Sequence, residues 1–228
     1  MKEVKNQLQK EPTLKGSRVW GILLLTVLLL IDQLTKLFAD AYFSSSGAPD
    51  SIDIIPGWLS LCITYNRGIS YGLGDSAPVA VKLLVILGTA VVMTALAVLY
   101  WKVDKRRTLL RLALVFIVAG GVGNLIDRLY YRVWDPSTLY GVRDMVDLSR
   151  FGFAVCNFAD FFITGGAVML VLALLFFDSE AMLPIGKKYK ALAKESEERS
   201  KKKAAEKAKA KAQSVETQEQ SKDEKGGE

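Results

Sequence analysis

Four stretches of this chain are too apolar and too long to be ordinary protein surface: Trp20 to Phe38, Val79 to Trp101, Leu109 to Ile126 and Asn157 to Phe177. Each comes close to the roughly 20 residues that a helix needs to cross about 30 Å of hydrocarbon. Backbone polar groups in lipid must be satisfied inside the segment, so runs of this length are expected to be helices. The expected fold is therefore an all-α polytopic membrane protein with four transmembrane helices, at about 20–38, 79–101, 109–126 and 157–177. A cleavable signal peptide is the rival reading of the first stretch, given its basic start and Ala39-Asp40-Ala41. Against it, the apolar run continues past Asp32 to Leu37 and Phe38, and no small-residue neck precedes Ala39.

The connections divide the chain further. In the 41–78 loop, Leu59, Leu61, Ile63 and Tyr65 alternate with Trp58, Ser60, Cys62 and Thr64, which is the period of a strand. Asn66-Arg67-Gly68 reads as a turn and Ile69 to Leu73 as a returning strand, giving a small extracytoplasmic β-sheet or loop element at the membrane surface. Gly120, Gly121 and Gly123 in the third span would let a neighbouring helix approach closely. Lys82, near the start of the second span, is expected to snorkel to the head groups. The domain plan is a basic amino terminus at 1–18, a membrane domain at 19–178, and a charged tail at 179–228 in which Lys201 to Gln213 has the composition of a solvated helix or a disordered segment.

Charge sets the expected topology. The formal net charge is +6, and the basic residues concentrate in the amino terminus, the 102–111 turn and the tail, whereas the 41–78 loop carries Asp50, Asp53 and Asp75 against Arg67. By the positive-inside rule both termini face the cytoplasm and both long loops face outward. The basicity is thus topology and tail, and no nucleic-acid partner is expected.

The chain has no histidine, which excludes Ser-His-Asp and Cys-His machinery and any His-ligated metal. Cys62 and Cys156, far apart in sequence, read as free thiols.

The polar residues that hydropathy does not explain fall toward one side of the bilayer. Asp32 and Lys36 share a face of the first span and can pair. Asn66, Arg67 and Gly68 lie on the outer loop; Asn124, Asp127 and Arg128 end the third span; Asp144, Asn157 and Asp160 bracket the start of the fourth. Taken singly, each has a plain explanation: an Asp127–Arg128 ion pair at the interface, Asn157 as a helix cap, Asp147 as a solvated carboxylate. Taken together they point to one outward-facing polar site. Asp144 and Asp160 stand out, because a carboxylate in or near lipid is costly and two within reach of each other cannot both ionise.

In this order, these residues resemble the lipoprotein signal peptidases, the signal peptidase II family of bacterial membrane aspartic proteases. The resemblance is carried by Asp32-Gln33-Leu34-Thr35-Lys36, Asn66-Arg67-Gly68, Gly120-Gly121 with Gly123-Asn124-Leu125-Ile126-Asp127-Arg128, Val142 to Met145, and Asn157-Phe158-Ala159-Asp160. It covers about residues 18–178 and implies that Asp144 and Asp160 are the catalytic pair. Asn66, Asn124, Asp127, Arg128 and Asn157 would shape and hold the site, and Asp32 would support it. The alignment of Asp144 rather than Asp147 rests on Val142. Ile69-Ser70-Tyr71, Cys156 and Phe161 depart from the family pattern and bear on pocket shape. No cofactor or metal is implied. The implied partners are lipid-modified prolipoproteins and membrane lipids, and the implied setting is the bacterial cytoplasmic (inner) membrane, with the chain acting as a monomer.

The chemistry suits the residues. One carboxyl of the pair would keep a proton while the other acts as base on a water, and the dipole of the fourth helix favours negative charge at Asp160. Three rivals stay open: a small transporter or ion carrier, although the inner halves of the spans are almost bare of charge; a Ser-Lys protease using Lys36 or Lys82; and a divalent cation on Asp127, Asp144 and Asp147.

Overall fold

The computed structural model describes residues 18–68, 77–104, 107–177, 190–192, 194–202 and 205. The returning strand expected at Ile69 to Leu73, the residues Ile69-Ser70-Tyr71, the amino terminus to residue 17 and most of the tail lie outside the described residues. Four helices, α1 (Arg18–Phe43), α2 (Val79–Lys102), α3 (Thr108–Tyr130) and α4 (Phe158–Leu175), alternate with strands β1 (Ser51–Ile55), β2 (Leu59–Asn66) and β3 (Val142–Asp147). All four helices are long and apolar enough to cross a membrane. The described residues divide into two units, one running to Val171 and a second from Leu172 onward. In the second, residues 194–202 are helical and carry the i,i+4 ion pairs Arg199–Glu195 and Lys201–Glu197.

The first unit is organised around α3, much of whose length is buried, Ala113, Leu114, Ala119 and Gly123 included. Its glycines work as the sequence suggests. A Cβ at Gly120 would overlap Ala159 O on α4, one at Gly121 would meet Met93 on α2, and one at Gly123 would meet Asp32 on α1. The first brings the backbone of α4 against α3, and the other two make room for side chains of α2 and α1. The outer surfaces of α1 and α2 remain apolar and exposed, with Leu23, Leu30, Leu34 and Phe38 on one and Leu84, Leu87 and Val91 on the other. In a membrane such faces meet lipid.

Helix α1 continues past Phe38 to Phe43. Asp40, which would otherwise discourage burial, is held there by the hydroxyls of Tyr65 (2.5 Å) and Tyr131 (3.1 Å). Lys82 does not snorkel outward: it is only 8% exposed and lines a cavity with Arg67, Gly68 and Arg128.

The strand expected at residues 59–65 is β2, and it is the middle of an antiparallel sheet ordered β1-β2-β3. β1 joins it through a turn in which Gly57 takes φ 75, a conformation that costs glycine little. The 142–147 segment, between the third and fourth helices, is the third strand, with Thr64 opposite Asp144, Tyr65 opposite Arg143 and Asn66 opposite Val142. Side chains alternate across a strand, so Asp144 shares a face with Thr64 and Asn66, and Arg143 shares the other with Tyr65. Gly141 admits this pairing, since a Cβ there would collide with Asn66 O.

Candidate active site

The chain returns on itself just before α4. After β3, a short 3-10 turn at Ser149–Phe151 leads to Cys156, which bridges Val146: Cys156 N donates to Val146 O (2.9 Å) and Val146 N to Cys156 O (2.8 Å). This closure places Asn157, the next residue, beside Asp144. Asn157 Nδ2 donates to Asp144 Oδ1 at 2.6 Å and to Asn124 Oδ1 at 3.0 Å. Asn124 Nδ2 in turn donates to Asp160 Oδ1 at 2.9 Å. Two amides thus connect the two carboxyls.

Asn157 also opens α4. Its backbone N–H donates to Asp160 Oδ2 (3.0 Å), and Asp160 N donates to Asn157 Oδ1 (3.2 Å), a reciprocal cap that satisfies helix-terminal groups and fixes the Asp160 side chain. The cap and the site contact are made by one residue, so the plain explanation and the functional one for Asn157 coincide.

Asp144 is 4% exposed. Burial, reinforced by the charge of Asp160, pushes its carboxyl up to about 7, while hydrogen bonds from Asn157 and Asn66 and the charge of Lys36 pull the other way. Asp147, three positions on, points to the opposite face. Ser149 N donates to its Oδ1 at 2.8 Å, and this bond holds its carboxyl below the ordinary value.

The supporting residues lie behind the pair. Lys36 Nζ, fully buried, bonds Asp32 Oδ2 (3.0 Å) and Asn124 Oδ1 (2.9 Å) and lies 3.4 Å from Asp127 Oδ2. Asp32 Oδ1 accepts from Ala159 N (2.9 Å), and its Oδ2 also accepts from Gln33 Nε2 (2.9 Å). Asp127 faces Lys36 and Arg143, with Arg143 Nη2 only 2.6 Å from its Oδ1. Arg128 donates to Gly68 O (3.3 Å) and Asn124 O (3.4 Å), and its charge acts on Asp160, Asp144 and Asp127. Gly68 N donates to Asn66 Oδ1 (2.9 Å), a local turn that fixes the loop carrying Arg67. Arg67 lines the cavity beside Gly68 and Arg128.

Two of the rival arrangements, the cation on three carboxylates and Lys36 as the base of a Ser-Lys protease, find no geometry among the described residues. The three carboxylates proposed for a cation do not converge, because Asp127 is committed to Lys36 and Arg143 and Asp147 to Ser149. Lys36 sits among Asp32, Asp127 and Asn124, a paired cation rather than a base. Sequence reasoning missed Arg143, Gln33 and Asp40. The partners of Arg143 become visible only once β3 is known to pair with β2, since that register puts it on the face of Tyr65.

A family model described as Signal peptidase (SPase) II matches residues 24–176. The lipoprotein signal peptidase of Bifidobacterium longum subsp. infantis is 36% identical over 147 residues, covering 64% of this chain and 73% of that protein. That of Chlorobium phaeobacteroides is 32% identical over 163 residues, covering 67% and 88%. Among solved structures, one described as a bacterial membrane enzyme superposes with a TM-score of 0.55 at 27% identity, covering 68% of this chain and 87% of that one.

Proposed function

The chain belongs to the signal peptidase II family, membrane aspartic proteases that remove signal peptides from prolipoproteins, and we propose that Asp144 and Asp160 are the carboxylates with which it does so. The observation that carries this reading is the pair of amide bridges, Asp144–Asn157 and Asn124–Asp160, which hold two carboxyls at one end of a four-helix membrane domain. Asp144 keeps the proton, as its burial and the nearby charge favour. Asp160 accepts hydrogen bonds from Asn124 and Asn157 and serves as the base. Asp160 takes a proton from a water, the water oxygen attacks the scissile carbonyl, and Asp144 gives its proton to the carbonyl oxygen. Collapse of the tetrahedral species then breaks the C–N bond, with a proton passing to the leaving amine. Arg128, close to both carboxyls, stabilises the charge that develops.

The substrate of this reading is a diacylglyceryl-modified prolipoprotein cut just before its lipidated Cys, with the apolar signal helix entering from lipid. The setting is the bacterial inner membrane, with both termini cytoplasmic and the site facing outward. Support comes from the far end of the helices, where the basic residues gather: Arg18 Nη2 donates to Trp101 O (3.0 Å), and Arg111 Nη2 to Tyr100 OH (2.6 Å). That end opposes Asp144 and Asp160 and fits the positive-inside rule. The reading takes the chain to act as a monomer.

The test is cleavage in detergent of one prolipoprotein with and without its diacylglyceryl group. The reading expects a product beginning at the lipidated Cys and little cleavage of the unmodified form. Equal cleavage of both forms, or a cut elsewhere, would contradict it.

A further inference from the structure

Arg143 is 4% exposed and takes no part in the proton transfers above, yet it immediately precedes Asp144. Its Nη2 donates to Asp127 Oδ1 (2.6 Å) and to Gln33 Oε1 (3.4 Å), and its backbone N–H donates to Asp127 Oδ2 (3.0 Å). Gln33 Nε2 bonds Asp32 Oδ2 (2.9 Å) and Gly123 O (3.1 Å). Lys36 Nζ completes the circuit at 3.0 Å from Asp32 and 3.4 Å from Asp127. Asp32, Gln33, Arg143, Asp127 and Lys36 therefore close a ring in which two formal anions face two formal cations.

The ring grips the main chain beside each reacting carboxyl. Asp32 Oδ1 accepts from the N–H of Ala159, the residue before Asp160. Asp127 Oδ2 accepts from the N–H of Arg143, the residue before Asp144. The Arg143 guanidinium also lies 5.5 Å from the centre of the Tyr131 ring, which closes off its other side. The guanidinium also turns Nε toward Asp127 Oδ2 (3.5 Å), a second donor atom that the single nitrogen of an ammonium lacks.

Building on Asp144 and Asp160 as the pair, we propose that Arg143 is a positioning residue for the cleavage reaction. By closing the ring, it fixes the separation of the two chain segments that carry the reacting carboxyls. Without its side chain the ring opens, and the Val146–Cys156 bridge and the Asn157–Asp144 bond are left to hold β3 against the start of α4. A displacement of about 1 Å at reacting groups is enough to cost roughly 100-fold in rate.

The experiment measures kcat and KM for a lipidated prolipoprotein across the pH range, in detergent, for wild type, Arg143→Gln, Arg143→Lys and Gln33→Met. Thermal unfolding of each protein serves as the folding control. Arg143→Gln is expected to lower kcat about 100-fold with KM unchanged. It should also move the alkaline limb of the pH profile to lower pH, because Asp144 moves away from the charge of Asp160 that helps it hold its proton. Arg143→Lys should recover part of both effects. Gln33→Met breaks the ring without leaving a buried charge unpaired and should show the same signature at smaller size. Should Arg143→Gln fail to fold, the Lys and Met variants decide. A purely structural role would lower the rate equally at every pH, with Lys no better than Gln; that outcome, or wild-type kinetics in the folded variants, overturns the proposal. Inactive Asp144→Asn and Asp160→Asn beside unaltered Arg143 variants would reject the positioning role alone. Active Asp variants would reject the pair itself.

Discussion

The amide of Asn157 lies 2.6 Å from Asp144 Oδ1 while its backbone N–H lies 3.0 Å from Asp160 Oδ2, so one side chain and its own peptide touch both carboxyls of the proposed catalytic pair. Replacing it separates two roles. Asn157→Ser keeps a capping oxygen but cannot reach Asp144, and it should lower kcat strongly with little change in stability. Asn157→Ala should lose the cap as well, at about 1 kcal/mol. Thermal unfolding and cleavage rates on the two variants check this; equal losses of activity and stability in both would contradict it.

The Asp144 carboxyl, raised from 3.8 to about 7, makes stability depend on pH in a defined direction. Its folded value lies above its unfolded one, so between the two the folded state binds more protons and stability falls as pH rises. The slope cannot exceed that of one proton, about 1.4 kcal/mol per pH unit. Asp144→Asn removes the term, so its stability relative to wild type should be greater at pH 8 than at pH 4. Wild-type activity should decline as pH rises through about 7, where Asp144 loses its proton. Chemical denaturation at several pH values, with the rate profile, checks both signs.

The glycines of α3 give a packing prediction. Gly120→Ala forces a methyl into the Ala159 carbonyl, which belongs to backbone and cannot swing aside. Overpacking of this kind costs about 1–3 kcal/mol, and here it also pushes the start of α4 away. Both stability and kcat should fall. Gly88→Ala on α2, where an added Cβ meets nothing within 4 Å, is the matched control and should leave both unchanged.

Much of this was legible before any coordinates. The four spans follow from apolar length, β2 from its alternation, and the close approach at Gly120, Gly121 and Gly123 from residue size. Asp32 with Lys36 follows from helical spacing. The third strand was not legible. Val142–Asp147 is buried on both faces, so it carries no alternation of polar and apolar residues, and its partner lies far away in sequence. Without β3, Arg143 had no visible partner, and the reach of Asp127 to it could not be foreseen. Lys82 was misjudged for a related reason: position along a helix predicts snorkelling, whereas the side it faces depends on packing.

The phenols on Asp40 tie the end of α1 to the sheet and to the end of α3. Tyr131→Phe removes one of the two phenol hydrogen bonds and should cost about 1–2 kcal/mol, with Asp40 still held by Tyr65 and Ser44. Asp40→Leu removes the acceptor of both and should cost more than Tyr131→Phe. Thermal unfolding of the two variants and their combination checks this, and additive losses would contradict a shared acceptor.

The most direct measurement is cleavage of a diacylglyceryl-modified prolipoprotein by wild type, Asp144→Asn, Asp160→Asn and Asp147→Asn, each shown to be folded, with a chelator present throughout. The account predicts full activity in wild type and Asp147→Asn, and a loss to background in the other two. Activity retained by Asp144→Asn or Asp160→Asn, or abolished by the chelator, would contradict an aspartate pair acting on water.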